Sequence, residues 1–192
     1  VFPSTTANTV EQALKDFKNQ LPLTFFATPN DLQNPKTLNA LQTALKGGVH
    51  SVGFQFAPNV AANINRMKRE VLEAELKKAQ AEHERHFGHA LTHILVPTAA
   101  SPAAVQTISK YAYPVVPNAN SVELKDGKAA KSAAKGYVLA VNPGDEAAAF
   151  DLANDFYVDN FDIVPLTACL PLKVSKKVLV DHGLVEDADD IE

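Results

Sequence analysis

The 192-residue chain has no tryptophan, one methionine and one cysteine. With Cys169 alone, no disulfide can close within the chain, and a two-cysteine redox or zinc motif is excluded. No stretch approaches the roughly 18–20 consecutive apolar residues that a membrane-spanning helix requires, so no membrane span is expected. The opening Val1-Phe2-Pro3-Ser4-Thr5-Thr6 lacks the charged and apolar regions of a signal peptide, which leads to the expectation of a soluble chain, cytosolic or already processed. No Asn-x-Ser/Thr acceptor occurs, so glycosylation gives no sign of secretion. Positive charge is not in excess either. Lys and Arg number 18 against 22 Asp and Glu, interspersed, which leaves no broad basic face and argues against a nucleic-acid partner. No glycine-rich phosphate loop follows an apolar run, so no nucleotide is implied. Ser4, Ser51 and Ser101 have no Gly-x-Ser-x-Gly surroundings, and the Asp- and Asn-rich stretch 151–162 lacks the central Gly and closing Glu of a calcium loop.

What is present is an alternation of short apolar runs with helical periods. With 46% hydrophobic residues, one domain with one sizeable core is the expectation. Asn8 or Thr9 can cap a helix with Val10, Ala13, Leu14 and Phe17 on one face. Leu23 to Ala27 reads as a buried strand, followed by a turn; Asn34-Pro35 then starts a helix with Leu38, Leu41 and Leu45 inward, ended by Gly47-Gly48. His50 to Phe56 is the next strand. The segment from about Ile64 to Phe87 reads as the longest helix, with Met67, Val71, Leu72, Leu76, Ala79 and Phe87 inward and Gly88 as its stop. Thr92 to Val96 is a strand, Ser101-Pro102 opens a helix, and Val115-Val116 is a brief strand. The polar stretch from Asn118 to Lys135 reads as a loop with one helical turn. Tyr137 to Val141, Asp145 to Val158 and Asp162 to Leu166 follow as strand, helix and strand, and Val1-Phe2 as a strand stub would make seven strands. Strands that alternate with helices imply parallel pairing, which an open doubly wound sheet and a barrel satisfy equally.

Leu23-Thr24-Phe25-Phe26-Ala27, Asn34-Pro35 with its helix, and Gly47-Gly48-Val49-His50-Ser51-Val52-Gly53 resemble, in order and in letters, the polysaccharide deacetylase segment that runs from A-T-F-F to G-H-E-I-G-S-H. Leu72 to Gln80 with Gly88 resembles that family's next helix, and Tyr137 to Val141 with Val164 to Leu170 its last two strands and closing L-x-E-C-L. The resemblance to this NodB homology family covers most of residues 1–170. It implies a distorted (β/α)7 barrel over 1–175, with a C-terminal extension and acidic tail over 176–192, and a site at the C-terminal ends of the strands.

It also implies chemistry that the aligned positions do not carry. The family's deacetylases hold a divalent metal with one Asp and two His, and use a second Asp as base and a late His as acid. The metal acidifies its bound water and polarises the amide carbonyl. Here Pro3 and Ser4 fall on the positions of base and metal-binding carboxylate, and Gln55 and Asn59 on the two imidazoles. Leu95 and Pro97 fall in the motif whose arginine orients the base, and Asn142 falls near the acid. Neutral amides and a serine supply neither the charge nor the imidazole that a transition metal needs, so no cofactor is expected.

His83, His86, His89 and His93 form one cluster, in which His83 and His86 share a helical face and are the alternative metal site. The competing reading has imidazoles near a helix C-terminus interacting with its dipole, on the face opposite the family's groove. His50 reads as a packed residue at the start of a strand, and Cys169 as a buried small one. The functional expectation is a catalytically inactive deacetylase-like protein, extracellular or associated with the cell wall. It would bind a polysaccharide such as chitin or peptidoglycan, or assemble with copies of itself; the alternative is an active deacetylase with an atypical site.

Overall fold

The computed structural model describes residues 6–17 and 21–115, the backbone of 121–125, 128–129 and 138–140, and residue 151. The first helix, α1 (Ala7–Phe17), buries Val10, Ala13 and Phe17 as its spacing dictates. Its cap lies further upstream than the sequence suggested. Thr6 accepts the Thr9 amide on its hydroxyl at 3.2 Å, and its carbonyl takes the first helical bond from Val10.

Strand β1 (Thr24–Ala27) is buried along its whole length. The turn expected after it is a short helix, α2 (Pro29–Gln33). Thr28 accepts the Asp31 amide while the Asp31 carboxylate takes the Thr28 amide at 2.8 Å, a capping box with proline in the first turn. Asn34 closes α2 through its own amide and opens α3 (Pro35–Leu45) by accepting the Lys36 and Thr37 amides. Gly48, at φ 69°, makes the left-handed turn after α3.

After β2 (Ser51–Gln55) the chain forms α4 (Pro58–Asn63), a 3-10 turn over Ile64–Arg66, and then α5 (Arg69–Phe87). The single helix expected from Ile64 is thus broken, with Met67 and Lys68 both extended. The reason is phase. The buried stripe of α5 is Leu72, Leu76, Ala79 and His83; continued backward without a break, it would turn Lys68 and Arg69 into the core. Two extended residues reset the rotation so that Ile64 is buried instead. The same phase leaves Val71, expected inward, 48% exposed.

Strand β3 (His93–Leu95), α6 (Pro102–Ile108) and β4 (Tyr113–Val115) follow, with Ser101 as the cap of α6. Pro114 breaks neither bond at the ends of this pairing: the Tyr113 amide donates to the Thr92 carbonyl just before β3, and the Val115 carbonyl accepts the Val96 amide just after it. The strands pair in parallel in the order β1-β2-β3-β4. A doubly wound sheet reverses its order at a switch point, whereas this one proceeds in a single direction, as the winding of a barrel does.

The stretch read as a loop contains β5 (Ser121–Lys125) antiparallel to β6 (Lys128–Ala129), and β5 also pairs in parallel with β7 (Val138–Ala140). The sequence signal was there: Val122 and Leu124 alternate with Glu123 and Lys125, and Asp126-Gly127 is a hairpin dipeptide. The expected strands at Val1-Phe2 and 162–166, nearly all of the helix at 145–158, and the extension from 176 lie outside the described residues.

Alternate strand residues sort to two faces. Leu23, Phe25, Ala27 and Val52 pack with α1 and α3 in one cluster; Phe54, Ile94 and Val96 pack with α5 and α6 in another. Thr24 and Phe26, Ser51, Gly53 and Gln55, His93 and Leu95, and Tyr113 and Val115 occupy the opposite face, away from these helices.

Candidate functional site at the C-terminal ends of the strands

Gln55 ends β2 and Leu95 ends β3, and the two are register partners on the helix-free face. Each is partly exposed, while His93, two residues before Leu95 on the same face, is fully buried. The positions therefore sit at a mouth, with a closed layer beneath. That layer is filled by the Phe26 ring, which lies over Gly53 so closely that a Cβ there would stand 2.6 Å from a ring carbon.

Gln55 donates from Nε2 to the Phe26 carbonyl at 2.9 Å, which turns its amide across toward β1. Asn59 is exposed in the first turn of α4, where its carbonyl accepts the Asn63 side chain at 2.8 Å. Pro97 follows β3, and its carbonyl accepts the Ala100 amide at 2.9 Å. The strand ends thus place Gln55, Leu95 and Pro97 on one rim, with Asn59 on the adjoining helix. Pro3, Ser4 and Asn142 lie outside the described residues.

The donors at the described positions do not fit a catalytic transition metal. Leu95 offers no ligand atom, and Gln55 and Asn59 offer only neutral amides. Among the described residues no group of three or more His, Cys, Asp or Glu is placed to hold a metal ion. No described helix is long and apolar enough to cross a membrane.

Apart from His93 in the layer beneath the mouth, the histidines lie elsewhere. The last turn of α5 and the residues after it bring His83 to His89, with ring centroids 5.0 Å apart, and to Phe87 at 4.8 Å. His86 takes a different partner, its Nε2 lying 3.0 Å from the Arg85 guanidinium. His83 is buried, a member of the core stripe of α5 that the sequence reading passed over. His50, just before β2, is buried as well; its Nδ1 accepts the Leu23 amide at 3.2 Å, extending the β1–β2 ladder by one rung, and burial pushes its pKa down. These groups lie at the strands' N-terminal ends, away from the mouth.

Two features of the mouth were missed in the sequence. One is the capping box of Thr28 and Asp31, legible as Thr-x-x-Asp after an apolar run. The other is Asn65, whose Oδ1 accepts the Ser101 amide at 2.7 Å and whose Nδ2 donates to the Ala99 carbonyl. No sequence pattern flags a contact that spans 36 residues.

Comparison with protein-family models and with curated proteins finds no match. Solved structures do match. A CE4 family pseudoenzyme from Bacillus anthracis is similar at a TM-score of 0.69 and 10% identity, over 88% of this chain and 62% of that one. The chain therefore spans less than two thirds of that protein's length. The peptidoglycan deacetylase PdaC from Bacillus subtilis is similar at a TM-score of 0.63 and 14% identity, over 87% of this chain and 85% of that one. A family 4 carbohydrate esterase from Streptomyces lividans is similar at 0.61 and 17%, over 82% and 84%. At these identities the likeness speaks for architecture, and it agrees with the one-directional strand order: the chain has the NodB-type (β/α)7-barrel fold of the CE4 polysaccharide deacetylases.

Proposed function

We propose that this chain is a catalytically silent relative of the CE4 deacetylases, extracellular or attached to the cell wall, that holds an N-acetylated glycan such as chitin or peptidoglycan without cleaving it. The observation that carries the reading is the mouth of β2 and β3. The positions that would bear the family's imidazoles carry Gln55 and Asn59, and the Gln55 amide is engaged with the Phe26 carbonyl. The barrel's architecture supports it, as does the similarity to a CE4 pseudoenzyme. Without a metal to acidify water, hydrolysis loses both its nucleophile and its carbonyl polarisation, while amide and hydroxyl groups at the mouth still pair with sugar hydroxyls and acetamides.

The test is binding and turnover on one ligand series. N-acetylchitooligosaccharides should bind in calorimetry and release no acetate, with or without added Zn²⁺. Retention of a monomer at high concentration in light scattering favours the glycan reading, whereas oligomers without glycan affinity would replace it with self-assembly. Acetate release would instead make the chain an active deacetylase with an atypical site.

A further inference from the structure

Asn65 lies in the 3-10 turn between α4 and α5, far in sequence from the loop it grips. Its side-chain amide donates to the Ala99 carbonyl and accepts the Ser101 amide, so it pairs with two main-chain groups two residues apart, as a neighbouring strand would. Ser101 is also the cap of α6, accepting the Ala104 amide on its hydroxyl. One side chain therefore ties the connection after β2, which carries Asn59, to the loop after β3, which carries Pro97.

The two loops share a footing as well. Ile64, next to Asn65, is buried in the cluster of α5 and α6, and Val60, Ala61 and Ala100 pack against that same cluster. The apolar contacts hold the loops down, but they are non-directional and permit sliding. The paired hydrogen bonds of an amide fix both register and orientation.

We infer that Asn65 is a positioning residue that makes these two loops one rigid rim around the mouth, so that the spacing between Asn59 and Pro97 is preset before a glycan arrives. This builds on the glycan-binding reading, but the rim can be tested without a ligand. In the full chain, Asn65→Ala should leave the melting temperature nearly unchanged while hydrogen exchange at Ala100 and Ser101 accelerates about tenfold. Asn65→Asp, which keeps the acceptor for Ser101 and loses the donor for Ala99, should fall between the two.

The affinity of Asn65→Ala for N-acetylchitohexaose should drop about five- to tenfold, since a loosened rim must be ordered on binding. Unchanged exchange in Asn65→Ala overturns the inference. So does faster exchange with unchanged glycan affinity, because the rim would then be ordered to no effect. If the wild-type chain binds no glycan, the glycan reading fails, and the exchange result alone upholds or overturns the rigid rim.

Discussion

Gly53 on β2 and His50 just before it show how single positions fix the sheet that carries the mouth. Gly53 is a glycine in the middle of a buried strand because the Phe26 ring occupies the space of a side chain, with the His93 carbonyl 3.0 Å from where a Cβ would be. Gly53→Ala should destabilise the fold by about 1–3 kcal/mol through overpacking, read as a lower urea midpoint with an unchanged slope. At His50, Nδ1 accepts a main-chain amide and must be unprotonated to do so. Its folded pKa is below the ordinary imidazole value. On acidification the unfolded chain takes up the proton first, so stability is full above about pH 6.5 and falls as pH drops from there through the depressed folded value. His50→Asn, which places an amide oxygen where Nδ1 was, should show a smaller stability loss between pH 7.5 and pH 5 than the wild type in parallel urea titrations. An equal loss in both would mean that other groups govern the acid response.

At the scale of elements, Asn34 serves two helices, closing α2 with its main chain and opening α3 with its side chain. Asn34→Ala should cost about 0.5–2 kcal/mol, measurable as a shifted thermal midpoint, while Asn34→Asp should cost little. The boundary of α3 was legible because Asn-Pro is a local signal, and β1 and β3 were legible because a buried strand must be a short apolar run. The break before α5 was not. Ile64, Met67 and Val71 look continuous with the helix that follows, and only the packed stripe of Leu72, Leu76, Ala79 and His83 shows which rotational phase the core accepts. The β5–β6 hairpin was misread for the opposite reason, since its polar composition masked a period of two around Asp126-Gly127. For the site, the family pattern assigns Gln55 and Leu95 to two separate motifs, and the sheet makes them register partners; the grip of Asn65 on Ala99 and Ser101 depends on tertiary folding that no local pattern encodes.

At the scale of the whole molecule, four parallel strands among the described residues, in sequential order, carry helices on one face and, on the other, a closed layer of Phe26 and His93 below a mouth of Gln55 and Leu95. The proposed function reads that mouth as unable to support metal-assisted hydrolysis, because the described side chains there supply amides and an aliphatic group. The measurement that tests this most directly is acetate release from N-acetylchitohexaose by the full chain in the presence of Zn²⁺, repeated after treatment with a chelator. The account predicts no acetate above the enzyme-free control in either case. Acetate that appears with Zn²⁺ and disappears with the chelator would contradict it.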